Sequence, residues 1–288
     1  MKKSALVCAL AALALPVFAA CSNNDAAEAN TPLPPEEIVT PLIPEEQEPS
    51  APEETKPQEE GQEAAGQEQE EAKETNAKAP AVAQYLKITT DNLNVRKGAG
   101  TSYAALGVVE KNILMQYAGK TGDWYETRYM GAKAYVHSSY AQIVTLEKGS
   151  DQVEQIIAQG LNVLGTPYVY GATRLHDGNG NLLKGFSEKK FDCSSLMQFM
   201  FYKGAKILLN MNTRTQVTQG KEVAKLQRGD LMFFTNASRK NNKGIERIGH
   251  VALYLGDNYI LHTASDYAKI EQISSTRWSY FICARRML

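Results

Sequence analysis

The spacing of apolar residues changes three times along the chain. Lys2 and Lys3 precede an unbroken apolar run from Ala5 to Leu15. From residue 22 to about 80 no apolar periodicity exists. Pro, Glu, Gln and Ala dominate there, and no aromatic residue occurs between Phe18 and Tyr85. Such a segment cannot bury enough apolar surface to offset its ordering entropy, so the pattern predicts disorder. Its prolines and mutually repelling charges should keep it extended as a tether. From Tyr85 to Val144 the pattern alternates in short runs, among them Leu93-Asn94-Val95-Arg96, Gly107-Val108-Val109, Trp124-Tyr125-Glu126-Thr127 and Ala134-Tyr135-Val136. Closely spaced half-buried strands with turn signals such as Gly98-Ala99-Gly100 predict a small all-β barrel over 83–146.

Near Ser150 the period becomes helical, with Val153, Ile156, Ile157, Leu161 and Leu164 on one stripe. Asp151 and Glu154 have capping-box spacing, and Gly165-Thr166-Pro167 ends the helix. A second helix is predicted from Cys193 to Lys203, with Asp192 as N-cap, Gly204 as C-cap and Leu196, Phe199 and Met200 buried. A short helix within 212–220 and strands at 230–234, 248–255, 259–264 and 280–285 complete an α+β domain over 150–288. That length suffices for a core of its own.

The formal net charge of −1 hides two opposed halves. Residues 22–80 hold 16 acidic and 3 basic residues, a net of −13; residues 81–288 hold 26 basic and 16 acidic, a net of +10. A basic globular part suits an anionic polymer. The charged start and apolar run read as an export signal, which makes that polymer cell wall rather than nucleic acid. Pro16-Val17-Phe18-Ala19-Ala20-Cys21 resembles the lipobox of bacterial lipoproteins. That resemblance implies removal of residues 1–20, acylation of Cys21 and a membrane anchor, with 21–82 as the linker; an ordinary secretory signal is the alternative. Cys8 and Cys21 fall in this leader, so Cys193 and Cys283 alone remain beyond it, too few for a disulfide scaffold. Cys283 reads as a small buried residue of the last strand.

Cys193 is the candidate nucleophile. A helix start offers free N–H groups and a positive dipole end, both of which favour a thiolate. His250 and His262 follow at hairpin spacing. With 256–258 as a three-residue loop, Leu255 pairs with Tyr259, His262 faces Ala252, and His250 lies diagonally beside His262 on the same face. A regular two-residue loop would separate the rings onto opposite faces. An odd loop or a bulge is therefore expected, with His250 as general base and His262 as its orienter. Asp192 is an N-cap that could also take a substrate ammonium, and Ser194 a substrate contact or capping residue. No CxxC or HExxH spacing supports a metal, and no cofactor is expected. Asp177, Asn179, Asn181 and Glu188 match calcium-loop positions, but Leu182 replaces the needed glycine, so a turn is expected there with His176 exposed.

Two resemblances extend this reading. Leu93 to Gly98, Asp123-Trp124-Tyr125 and Tyr135 to Tyr140 resemble bacterial SH3-like (SH3b) domains, which implies wall binding or help in shaping a neighbouring site. His137 falls within that pattern as a structural residue. Leu164 to Gly171, Phe191 to Leu196, Leu226 to Phe234 and Gly249 to Gly256 resemble the NlpC (p-sixty type) family of papain-like cell-wall cysteine peptidases. The resemblance implies a Cys193-His250-His262 triad, with Tyr168 hydrogen-bonding near the oxyanion. It also implies hydrolysis of the γ-D-glutamyl–diamino acid bond of peptidoglycan stem peptides. Ser195 replaces a common Gly, and 173–190 is longer than the family connector, so it should line or cover the groove. The expectation is an exported, lipid-anchored, monomeric endopeptidase. An inert wall-binding lipoprotein and an amidase or acyltransferase on the same fold are the alternatives.

Overall fold

The computed structural model describes residues 81–288. The export signal, Cys21 and the acidic tether lie outside the described residues. Among the described residues no helix is long and apolar enough to cross a membrane. Eight strands come first: β1 (Val82–Ile88), β2 (Leu93–Arg96), β3 (Ala105–Val109), β4 (Leu114–Gln116), β5 (Gly119–Thr121), β6 (Trp124–Tyr129), β7 (Ala132–His137) and β8 (Ala141–Glu147). The α+β part follows with α1 (Asp151–Asn162), α2 (Cys193–Ala205), α3 (Thr213–Gln216), β9 (Lys221–Glu222), β10 (Leu231–Phe234), β11 (His250–Gly256), β12 (Tyr259–Thr263), β13 (Ala268–Gln272), α4 (Ser275–Ser279) and β14 (Phe281–Arg286).

The first eight strands divide between two sheets. One sheet runs β3-β2-β7-β6-β5 around a core of Leu86, Val95, Val136 and their neighbours. The other holds nine strands in the order β8-β1-β4-β13-β12-β11-β10-β14-β9. Its two halves meet where Leu114 of β4 pairs with Ile270 of β13. The main core is likewise shared. Tyr85, Leu114 and Leu146 join Ile156, Leu196, Phe233 and Leu261 in one cluster between α1, α2 and the sheet. Residues 150–288 thus do not close their core alone. His137 has a structural place: it accepts from the Ser139 amide and sits edge-on to Trp124.

Helix termini differ from expectation in two places. Ser150, not Asp151, caps α1 by accepting from the Val153 amide. Glu154 instead accepts from the Gly149 amide and from Arg228. At the far end of α2 the left-handed residue is Lys206 (φ 59°), so the helix runs past Gly204. Gly204 serves packing: a Cβ there would fall 2.5 Å from Ile156 Cα, so its absence lets α1 and α2 touch. β13 and α4, unforeseen in the apolar pattern, fill the stretch before β14.

The β11–β12 hairpin resolves the expected irregularity as a bulge. Leu253 pairs with Leu261 and Tyr254 with Ile260, but Tyr259 then pairs with Gly256. The three-residue loop over 256–258 is corrected to a two-residue turn. Asp257 and Asn258 both have positive φ (46° and 65°), as a tight hairpin turn requires, and Leu255 is the extra residue. The Leu255 carbonyl accepts from Arg228 Nη1 at 2.6 Å. Arg228 also holds Glu154 of α1 (Nε 2.6 Å) and the Tyr85 hydroxyl of β1 (Nη2 2.7 Å).

Arg228 is almost fully enclosed, its side chain only 5% exposed. Removing one partner of a buried ion pair typically costs about 3–5 kcal/mol, because the other charge stays desolvated. Arg228→Met should therefore lower stability by about 3 kcal/mol. A denaturant titration checks it: the midpoint should fall with the slope unchanged.

Candidate active site

Cys193 opens α2 because the preceding turn is tied down on all sides. Asp192 Oδ1 accepts from the Ser195 amide (2.8 Å) while Ser195 Oγ accepts from the Asp192 amide (2.8 Å), a reciprocal cap. Ser195 thus completes the box. Asp192 Oδ1 also accepts from Ser194 Oγ (3.0 Å), and Oδ2 accepts from the Gly171 amide (3.2 Å) and pairs with Arg174 Nη2 (2.9 Å). Asp192 is buried with both oxygens engaged, which gives it the expected N-cap role, and it also lines the chamber beside Cys193 and Tyr168. Ser194 is buried too, donating to Asp192 and accepting from Arg174 Nη2 at 3.0 Å, and it lines the same chamber.

The bulge brings the two imidazoles together. His250 Nε2 lies 3.0 Å from His262 Nδ1, with the rings edge to face. Behind them stands Glu271 of β13, whose Oε1 is 3.0 Å from His262 Nε2, off the ring N–H axis. Arg277 Nη2 meets the same oxygen at 2.9 Å. Burial pulls Glu271 up, but the contact with His262 and the charges of Arg277 and Lys269 outweigh it and hold the carboxyl down to about 2. An ionised carboxylate only accepts. A carboxylate 3.0 Å from Nε2 favours the His262 proton on that nitrogen; in that tautomer Nδ1 accepts from His250 Nε2–H and His250 Nδ1 is free to act as the base.

Cys193, His250 and Tyr168 line one cleft of about 360 Å³. Cys193 and Tyr168 also line a smaller chamber of about 170 Å³ beside Arg174 and Arg214. A larger cavity of about 620 Å³, at the junction of residues 147–150 and 226–230, includes none of the predicted site residues. Burial, and then the charge of Asp192, push the Cys193 thiol up to about 12, against the Val251 and Ser194 amides and Arg174, which favour the anion. Burial first, and then the neighbouring His262 and the positive charge of Arg277, lower His250 well below 6.5. Burial thus opposes the thiolate that the helix start favours, and it favours a neutral thiol beside a neutral imidazole. Burial, Cys193 and Asp192 raise Tyr168, so its hydroxyl remains a donor.

The remaining expectations sort by burial. His176 is fully buried rather than exposed, accepting from the Gly178 amide and packed on Tyr202. Asp177 makes the expected turn by accepting from the Asn179 and Asn181 amides. The 173–190 segment lines the groove through Arg174. Cys193 and Cys283 are both free, and Cys283 is half-buried in β14. Sequence reasoning missed Arg174, Glu271 and Arg277. Only the acidic member of alternating β13 (Ala268-Lys269-Ile270-Glu271) left a trace, indistinguishable from an exposed strand position.

Two outcomes follow from the buried, neutral pair. The acid limb of kcat/KM reports the free base, so activity should hold through pH 6.5 and fall only at lower pH; a pH–rate profile with a limb above 6.5 would contradict this. Glu271→Gln can donate as well as accept, which releases the tautomer constraint. It should lower kcat by about tenfold, on the scale of a misplaced base. The loss of its negative charge, which raises His250, should move the acid limb further down, a shift that a purely structural role would not produce.

Residues 165–287 match the NlpC/P60 family and residues 91–142 the bacterial SH3 domain. The peptidoglycan endopeptidase RipA of Mycolicibacterium smegmatis is 27% identical over 46% of this chain and 26% of its own length. The gamma-D-glutamyl-L-lysine dipeptidyl-peptidase of Bacillus subtilis is 28% identical over 69% of this chain and 62% of its own. The chain thus spans less than two thirds of either relative. A crystal structure of an NlpC/P60 family protein from Bacillus cereus aligns at 22% identity with a TM-score of 0.39, covering 72% of this chain and 64% of that one. Residues 165–287 of this chain are thus similar to the NlpC/P60 family, and the segment before them to a bacterial SH3 domain.

Proposed function

We propose that the protein is a cysteine endopeptidase of peptidoglycan stem peptides, cleaving the γ-D-glutamyl–diamino acid bond. The observation that carries this reading is the run Glu271–His262–His250, whose last imidazole lines the same cleft as Cys193. Substrate arrival lets His250 take the thiol proton as Cys193 Sγ attacks the carbonyl carbon. The oxyanion then meets the Cys193 amide, which has no intrahelical acceptor at the first helical position, and the Tyr168 hydroxyl. His250 returns its proton to the leaving amine, leaving a thioester. Water, deprotonated by the same imidazole, attacks the thioester, and the thiol is restored.

The basic balance of residues 81–288 and the names of the relatives support a wall substrate. Export and a lipid on Cys21 belong to the same proposal, supported by the residues that precede Cys21. Digestion of purified muropeptides, read by mass, tests the activity. Wild-type protein should release the peptide beginning with the diamino acid, and Cys193→Ala should release none. A freed sugar or a transferred acyl group would instead mark an amidase or acyltransferase, and no product a binding protein.

A further inference from the structure

Resting on that hydrolase reading, we propose that Arg277 selects a leaving residue whose side chain carries a carboxylate, which means diaminopimelate rather than lysine. The cleft has two chambers that share Cys193 and Tyr168, and His250 lines only the larger one. The base that takes the thiol proton hands it to the departing nitrogen, so the leaving residue occupies the His250 chamber. Among the described residues lining that chamber, Arg277 is the one formally charged side chain and none is a carboxylate.

Arg277 is held for such a role. It lies in α4, whose cap Ser274 Oγ accepts from the Arg277 amide at 3.1 Å. Its Nη2 is engaged by Glu271, but a guanidinium carries five N–H donors in a planar fork. The others remain for a second carboxylate, in a charge-assisted and bidentate geometry. Thr235 Oγ1, buried in the same wall, has no hydrogen-bond partner among the described residues, so a polar substituent there would satisfy it. A lysine side chain brings an ammonium without the carboxylate that would face Arg277, and no carboxylate among the described lining residues receives it.

The test compares kcat/KM of the full chain on three tripeptides: L-Ala-γ-D-Glu-meso-diaminopimelate, its analogue amidated on the distal carboxyl, and L-Ala-γ-D-Glu-L-Lys. The free carboxylate should be favoured about ten- to a hundredfold over both others, the range of a charge-assisted hydrogen bond. Arg277→Gln should bring all three to similar values, since a general loss of activity cancels in the ratio, and Arg277→Lys should keep part of the preference. Equal rates in the wild type, or an undiminished preference in Arg277→Gln, overturn the proposal while the hydrolase reading stands. Failure to cleave any of the three would remove that reading and this inference with it.

Discussion

One surplus residue in a hairpin governs the site. Side chains alternate along a strand, so His250 and His262 share a face only if the β11–β12 ladder has the right parity. A tight two-residue turn alone would give the wrong one. Leu255, inserted as a bulge, restores it while Val251, Leu253 and Leu255 still enter the main core. The bulge does not stand alone. Arg228 clasps its carbonyl and carries the same clasp to α1 and to Tyr85 of the SH3-type segment. The register of the β11–β12 hairpin and the seating of the two domains are thus one hydrogen-bonded unit.

The second theme is charge held away from the sulfur until it is wanted. A helix start favours a thiolate, yet burial and the capping carboxylate of Asp192 weigh more. Arg174 offsets part of that carboxylate while also fixing Ser194. The result is a neutral thiol beside a neutral base, with the ionised partner, Glu271, two groups back. Such a thiol reacts slowly with adventitious electrophiles, because the thiolate is the reactive form. Proton transfer then awaits a substrate that brings its own carbonyl.

The SH3-type segment is structural to the chemistry as well as adjacent to it. β4 pairs through Leu114 with Ile270, the residue next to Glu271. The Met130 amide donates to the Leu164 carbonyl at 2.7 Å. Gly165, at φ 85°, accepts the Tyr129 ring where a Cβ would collide. Each contact ends close to a catalytic element. The carboxylate that orders the imidazoles is therefore positioned by a strand joined to the other domain.

Much of this was legible in the chain itself. Periodicity placed α1, α2, β10, β11 and β12, because burial against one face leaves a regular apolar trace. Hairpin arithmetic required an irregularity between His250 and His262, since parity follows from counting residues. The form of that irregularity did not, because a loop of three and a bulge with a turn of two hold the same number of residues. Neither the burial of His176 nor the roles of Arg174, Glu271 and Arg277 had a local signature, whereas the cap at Asp192 did. Their partners lie on other elements, and burial of a polar side chain depends on what the fold stacks over it. Short-range pattern determined the elements and the nucleophile's setting; tertiary structure alone decided which charges surround it, because Coulomb and desolvation energies depend on distance in space rather than along the chain.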